Sequence, residues 1–112
     1  MQMSDERKAK NESVFRDANE DIRDVQERLD LPEGRMPFIC ECEDEACRAV
    51  VQLTPRQYEE VRASPVRFLI ADGHAAGEQA SVVARGDGWC AIDKGGEGAE
   101  VARATDPRGE ER

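Results

Sequence analysis

The N-terminal part of the chain places apolar and charged side chains at helical intervals. Five apolar residues recur three and four positions apart among charged ones: Phe15, Ala18, Ile22, Val25 and Leu29. This pattern predicts an amphipathic helix over residues 4–30, ending before Pro32 because proline disfavours a helical conformation in the residue that precedes it. The stripe is able to pack on the sheet of its own domain, or to pair with a partner helix, including that of a second copy.

Shorter apolar runs predict five strands, at residues 36–40, 49–53, 66–71, 80–85 and 89–93. Thr54 begins a short helix, because its hydroxyl can cap the first turn, Pro55 suits the first helical position and Gln57 can complete a capping box. Residues 99–104 allow a further helix, and we expect the end of the chain, residues 106–112, to fray.

Four of the five aromatic side chains lie between residues 36 and 94, which locates the compact core there. A core of about sixty residues buries about 60% of its unfolded surface and is marginally stable alone. Small domains gain further stability from disulfides, a bound metal or a partner. The cysteines are the candidates for such a contribution.

The formal net charge is −9, and acids outnumber bases in residues 1–35, 36–60 and 61–112 alike. No cluster of basic residues that could neutralise phosphates occurs, which argues against direct binding of nucleic acid or of an anionic membrane surface. The N-terminal sequence lacks the apolar stretch of a secretory signal, and no run approaches the roughly eighteen apolar residues of a membrane span. We therefore expect a cytoplasmic protein whose thiols stay reduced.

Three of the four cysteines fall within eight positions, at Cys40, Cys42 and Cys47. Side chains two residues apart in an extended segment project to the same side, so Cys40 and Cys42 can bind one ion, and the intervening residues let the chain return Cys47. Structural zinc sites use four such ligands from cysteine and histidine. Reduced thiols at this spacing favour a metal over a disulfide, with zinc as the predicted ion and iron as the alternative.

Two residues compete for the fourth ligand position. His74 lies in a polar turn after a predicted strand, where its ring is freely presented, whereas Cys90 lies inside a predicted strand, where cysteine is commonly a small apolar residue. Cys90 remains the alternative. The predicted metal ligands are Cys40, Cys42, Cys47 and His74.

The loop that holds the cysteines is acidic. It contains Glu41, Glu43, Asp44 and Glu45, with Arg48 as the nearest cation. Three thiolates and a neutral histidine already make a zinc site anionic. The loop either presents an acidic face to a partner or is simply solvated, and Arg48 is a candidate donor to a metal ligand.

The chain resembles a group of small, largely uncharacterised bacterial proteins that share a Phe-x-Cys-Glu-Cys-x4-Cys segment and a later Gly-His turn. The resemblance spans residues 11–94 and rests on Asn11, Glu12, Phe15, Arg16, Asn19, Phe38, Cys40, Glu41, Cys42, Cys47, Leu53, Thr54, Tyr58, Glu59, Val61, Arg62, Pro65, Phe68, Gly73 and His74. It implies a metal site at the four predicted ligands and an apolar strand residue at the place of Cys90. It implies no particular activity.

Together these elements predict an α+β fold with an N-terminal amphipathic helix and a small, mostly antiparallel sheet. One short capped helix lies between the strands, and a loop is stapled by zinc. The predicted organisation is an N-terminal amphipathic helix in residues 1–34, a zinc-binding core in residues 35–94, and a Gly-rich, acidic tail with scope for a short helix in residues 95–112.

The function favoured by these features is that of a non-enzymatic zinc-binding interaction or regulatory module, which presents an acidic surface and its N-terminal helix to a protein partner. A thiol-based redox or metal sensor is the alternative. A small zinc enzyme is less favoured, because catalysis needs an open ligand position and a general base, and neither His-x-Glu nor His-Glu-x-x-His occurs.

Overall fold

The computed structural model describes residues 5–29, 34–44, 46–74 and 79–109. In these residues the elements are α1 (Asp5–Arg28), β1 (Met36–Ile39), β2 (Val50–Leu53), α2 (Pro55–Val61), β3 (Arg67–Ala71), β4 (Ser81–Gly86), β5 (Trp89–Asp93) and α3 (Gly96–Ala104). The α+β class is confirmed, and each predicted strand is found within one residue of its predicted ends. The predicted helix ends at residues 4 and 30 lie outside the described residues.

The antiparallel pairing is confirmed, and the strands divide into two sheets. β1 pairs with β2 in one sheet, and the other three strands form the second in the order β3-β5-β4. The segment after β1 joins the two sheets, because the backbone N–H of Glu41 donates to the carbonyl oxygen of Leu69 in β3 at 2.7 Å. The loop between β1 and β2 therefore lies against the edge of the three-stranded sheet.

The core is formed by apolar side chains from both sheets and from α2. Phe38 of β1 stacks on Tyr58 of α2 with ring centroids 4.4 Å apart. α2 begins as predicted, since the Thr54 hydroxyl accepts from the Gln57 N–H at 3.2 Å and the Gln57 side chain accepts from the Thr54 N–H at 2.9 Å. This capping box fixes the direction from which Tyr58 enters the core.

The helix α1 packs on the domain mainly through a polar face. Ile22 packs against the core and Phe15 and Ala18 are half-buried, but Val25 and Leu29 remain 43% and 64% exposed. The stripe therefore packs on its own domain only in part. The inner face of α1, as we call its buried polar side, comprises Glu12, Ser13, Arg16, Asn19 and Gln26. The outer stripe comprises Val14, Phe15, Ala18, Val25 and Leu29.

The C-terminal region packs back on α1. α3 begins at Gly96, earlier than predicted, and the hydroxyl oxygens of Thr105 and Ser13 are 2.9 Å apart. The expectation that the chain frays from residue 106 is wrong for Arg108, whose guanidinium donates to the Glu20 carboxylate at 3.0 Å. Residues 110–112 lie outside the described residues.

Candidate metal centre

Four side chains from two separate parts of the chain converge beside the edge of the three-stranded sheet. Cys40 and Cys42 follow β1, Cys47 precedes β2, and His74 follows β3. The ligand atoms of these residues all lie within 4.8 Å of one another. The structure therefore brings the whole predicted ligand set together.

Two of the distances between donor atoms match those of a tetrahedral zinc site. The Nδ1 atom of His74 lies 3.5 Å from the Sγ atom of Cys40 and 3.6 Å from that of Cys47. In a tetrahedral site with Zn–S bonds of about 2.3 Å and Zn–N bonds of about 2.0 Å, sulfur and nitrogen are separated by about 3.5 Å. These two sulfur–nitrogen distances fit a shared ion, and thiolate with imidazole is a donor set that suits zinc.

The turn after β3 holds His74 in place. The His74 N–H donates to the carbonyl oxygen of Ala71 at 3.1 Å, and the intervening Gly73 has a φ of 84°. Glycine adopts this left-handed conformation without the steric cost that a side chain would add. The Ala71 N–H also donates to the Sγ atom of Cys40 at 3.2 Å. The end of β3 therefore positions both a thiol and the imidazole.

Cys90 is not part of this group. It is buried in β5, where it lies opposite Ile70 and Arg85 in the neighbouring strands. Burial raises the pKa of its thiol, which keeps it neutral like a small apolar side chain. The structure therefore favours His74 over Cys90 as the fourth ligand.

The buried thiols of the site need a cation in order to ionise. Burial raises the pKa of Cys40 to about 12 and also raises the pKa of Cys42. A bound zinc ion reverses this preference, because it stabilises the thiolate and displaces the proton. Metal binding at this site is therefore expected to release protons and to weaken in acid.

Glu41 lies between two ligands but does not belong to an acidic surface. Because Cys40 and Cys42 face the site, the alternation of an extended segment points Glu41 the other way, and its side chain is 0% exposed. The carboxylate accepts hydrogen bonds from the Arg62 guanidinium at 2.8 Å and from the Leu69 N–H at 2.9 Å. The expectation of a solvated or partner-facing Glu41 is wrong.

The helix α1 supplies a further donor to the same carboxylate. The Nδ2 atom of Asn19 donates to the Oε2 atom of Glu41 at 2.6 Å. A buried carboxylate needs such partners, because burying an unpaired charge is costly. Asn19 and Arg62 were named only among the residues that carry the resemblance, with no role given to them. The alternation about Cys40 and Cys42 was a signal that could have shown Glu41 pointing inward.

The remaining acids of the loop form a smaller acidic surface than predicted. Glu43 is half-buried and lies 3.8 Å from the Lys8 ammonium, whereas Asp44 is exposed. Glu45 lies outside the described residues. Arg48 donates to the carbonyl oxygen of Cys47 at 2.9 Å, so this cation contacts the backbone of a ligand residue.

Comparison with known proteins adds no assignment to this geometry. No protein-family model, curated protein or solved structure matches the chain. Within the part of the chain that the structure describes, no helix has both the length and the apolar character required to cross a membrane. The chemistry of the site follows from its own donor atoms.

Proposed function

We propose that this protein is a non-enzymatic zinc-binding interaction module, in which Cys40, Cys42, Cys47 and His74 hold a structural zinc ion. The observation that carries the proposal is the convergence of three sulfur atoms and one imidazole within 4.8 Å. Four protein ligands complete a tetrahedral shell and leave no position for the water molecule that a catalytic zinc requires.

A zinc ion at this position would staple the two sheets together. The cysteines belong to the loop between β1 and β2, whereas His74 follows β3 of the three-stranded sheet. In small domains a structural zinc ion contributes folding free energy directly, because the ligands converge only in the folded state. Because the core is small and therefore marginally stable alone, a bound ion would add stability that the fold needs.

The outer stripe of α1 supports the interaction role. Val14, Val25 and Leu29 are 62%, 43% and 64% exposed. Apolar residues at this helical spacing suit the apolar face of a partner helix. The C-terminal half of α1 also exposes four acids, Asp17, Asp21, Asp24 and Glu27. The partner we propose is a protein that presents an amphipathic helix with basic residues beside its apolar face.

The exposure of one side of the metal centre supports a second candidate, a thiol-based redox sensor. Cys47 is half-buried and His74 is exposed, whereas Cys40 and Cys42 are buried. Peroxide that reaches this side would oxidise two thiolates to a disulfide and be reduced to water, with release of the zinc ion. Peroxide titration with zinc release and helicity measured together tests this candidate, and release only at damaging peroxide concentrations would exclude it.

Metal analysis of the purified protein tests the zinc site. We expect one zinc ion per chain, retained by Cys90→Ser and largely lost by His74→Ala, with a parallel fall in melting temperature. X-ray absorption should show sulfur and nitrogen ligands without oxygen. Iron in place of zinc, an oxygen ligand, or zinc lost from Cys90→Ser and kept by His74→Ala would contradict the proposed site.

A matched pair of valines tests the interaction face. Val25 in the outer stripe and Val83 in β4 are 43% and 44% exposed, so serine at either position removes a similar apolar surface. A partner captured from cell extract by the wild-type protein should be lost by Val25→Ser and kept by Val83→Ser. Equal capture by the two variants would show that the outer stripe is not the binding face.

A further inference from the structure

Asn19 of α1 holds the backbone that carries the ligand Cys40. Its side chain is fully buried, its Oδ1 atom accepts from the Ile39 N–H at 2.8 Å, and its Nδ2 atom donates to the Ile39 carbonyl oxygen at 2.8 Å. These are the two bonds that a neighbouring strand would make with the same residue. Ile39 is the last residue of β1 and directly precedes Cys40.

The same amide reaches the other side of Cys40. The Nδ2 atom of Asn19 uses its second hydrogen to bond the Glu41 carboxylate at 2.6 Å. One side chain of α1 is therefore bonded to both sequence neighbours of a metal ligand. Any movement of Cys40 that shifts Ile39 and Glu41 disturbs all of these hydrogen bonds.

The other contacts of the inner face are also polar. The Glu12 carboxylate is 2.9 Å from the Lys94 ammonium, and the Arg16 guanidinium donates to the carbonyl oxygen of Pro65 at 2.7 Å. Polar groups that leave an interface recover hydration, whereas apolar groups lose their stabilisation outright. Release of α1 would therefore rehydrate its polar groups, and the apolar contact that it would lose with the core is that of Ile22.

We propose that zinc binding and the docking of α1 are coupled through Asn19 and Glu41, so that loss of the metal releases α1 from the domain. The inference rests on the proposed zinc site. The ion holds Cys40 and Cys42 together, and thereby holds Ile39 and Glu41 where Asn19 bonds them. Because coupling between two equilibria is reciprocal, undocking α1 weakens zinc binding by the same factor.

Through this coupling, metal occupancy controls whether the outer stripe forms one continuous apolar surface. In the zinc-loaded protein the stripe is presented by a helix fixed on the domain. Most of the stability of a helix in a protein comes from its tertiary packing, so a released α1 loses helicity and its apolar residues no longer form one continuous surface. The proposed partner is then bound by the zinc-loaded protein alone.

Hydrogen exchange of the full chain tests the coupling without any substitution. Removal of zinc with a chelator should lower the protection of the α1 amides and leave the amides paired between β3 and β5 protected. Unchanged protection of α1 would overturn the inference. An equal loss in α1 and in the three-stranded sheet would overturn it too, because zinc would then support the whole fold rather than this helix.

A matched pair of variants on the inner face locates the coupling. Asn19→Ala should weaken zinc binding about 10–100-fold in competition with a chromophoric chelator, as loss of an outer hydrogen-bonding partner of a metal site does. Ser13→Ala removes a buried hydroxyl whose partner is Thr105, remote from the cysteine loop, and should leave the zinc affinity unchanged. In Asn19→Ala, the protection of the α1 amides from hydrogen exchange should no longer depend on zinc.

The outcomes separate this inference from the proposed function. A wild-type protein that binds no zinc refutes the zinc site itself. A wild-type protein that binds zinc, with the same affinity in Asn19→Ala and the same exchange of α1 with and without the ion, keeps the zinc site and refutes the coupling. Equal weakening by Asn19→Ala and Ser13→Ala refutes the route through Asn19.

Discussion

Most surface helices bury an apolar stripe and expose a polar face, whereas α1 buries a polar face and exposes much of its apolar stripe. Here Glu12 and Arg16 on the inner face are 2% and 1% exposed, whereas Val14 and Leu29 on the outer stripe are 62% and 64% exposed. Hydrogen bonds and ion pairs can therefore select the docked face of a helix and leave part of its apolar stripe at the surface.

The inner face is also more directional than an apolar contact. The Arg16 guanidinium donates to the carbonyl oxygens of Pro65 and Ala102 at 2.7 and 3.0 Å and lies 4.8 Å from the centroid of the Phe68 ring. A small displacement of α1 would leave such groups unpaired, at about 1–3 kcal/mol each. Apolar side chains tolerate small shifts with less loss. The polar inner face therefore defines one position for α1.

The largest effect is expected from Arg16→Ala. This change leaves the carbonyl oxygens of Pro65 and Ala102 without their charged donor and opens a void beside Phe68. We expect the free energy of unfolding, measured by urea denaturation, to fall by about 3 kcal/mol. Arg28→Gln is the control, because Arg28 is exposed in the last turn of α1, and it should change stability by about 0.5 kcal/mol or less. Similar losses in the two variants would show that the inner face has no special role.

A pH-dependent effect of comparable maximum size is expected at Glu12. Burial raises the pKa of this carboxyl from 4.5 to about 7, although the Lys94 ammonium opposes the shift. Between these pH values the folded state keeps a proton that the unfolded state releases, so this contribution to stability is complete below pH 4.5 and is lost as the pH rises to about 7.

The variant Glu12→Gln removes that titration. The unfolding free energy of the wild type, taken relative to the variant, should fall by up to about 3 kcal/mol over the same pH range. The comparison cancels contributions from groups that both proteins share, including the metal ligands. Urea denaturation curves of the two proteins at several pH values provide the measurement, and a constant difference between them would contradict the prediction.

The smallest effect on stability is expected from Leu29→Ser. Leu29 belongs to the outer stripe and is 64% exposed, so its replacement should change the unfolding free energy by about 0.5 kcal/mol or less. Binding of the proposed partner should nevertheless be lost. Thermal denaturation and partner capture with the same preparation measure the two properties together. A loss of stability as large as that of Arg16→Ala would show that the stripe packs within the fold.

The cluster of candidate metal ligands could be predicted because three of its four members lie in one short loop. The alternation of an extended segment places Cys40 and Cys42 on one side. The single histidine of the sequence, His74, lies in a polar turn after a predicted strand. The capping box at Thr54 and Gln57 was predictable for the same reason, since both of its hydrogen bonds lie within four residues.

The orientation of α1 could not be predicted, because periodicity shows that a helix has two faces but not which face finds partners. The partners of its inner face are distant in sequence: Asn19 bonds Glu41 at a separation of 22 residues, and Arg16 bonds Ala102 at a separation of 86. Glu41 looked like one more loop acid for the same reason. The alternation about Cys40 and Cys42 indicates its inward direction, but the Arg62 guanidinium that pairs with it is 21 residues away in sequence.

The spacing of the candidate ligands divides the entropic cost of assembling the site. Cys40, Cys42 and Cys47 share one short loop, whereas His74 follows Cys47 by 27 residues. Closing a short loop costs less chain entropy than closing a long one, so recruiting His74 costs more than gathering the three thiols. An ion held by all four side chains would offset that cost only in the folded protein. His74, the most distant of the four in sequence, is also the most accessible one.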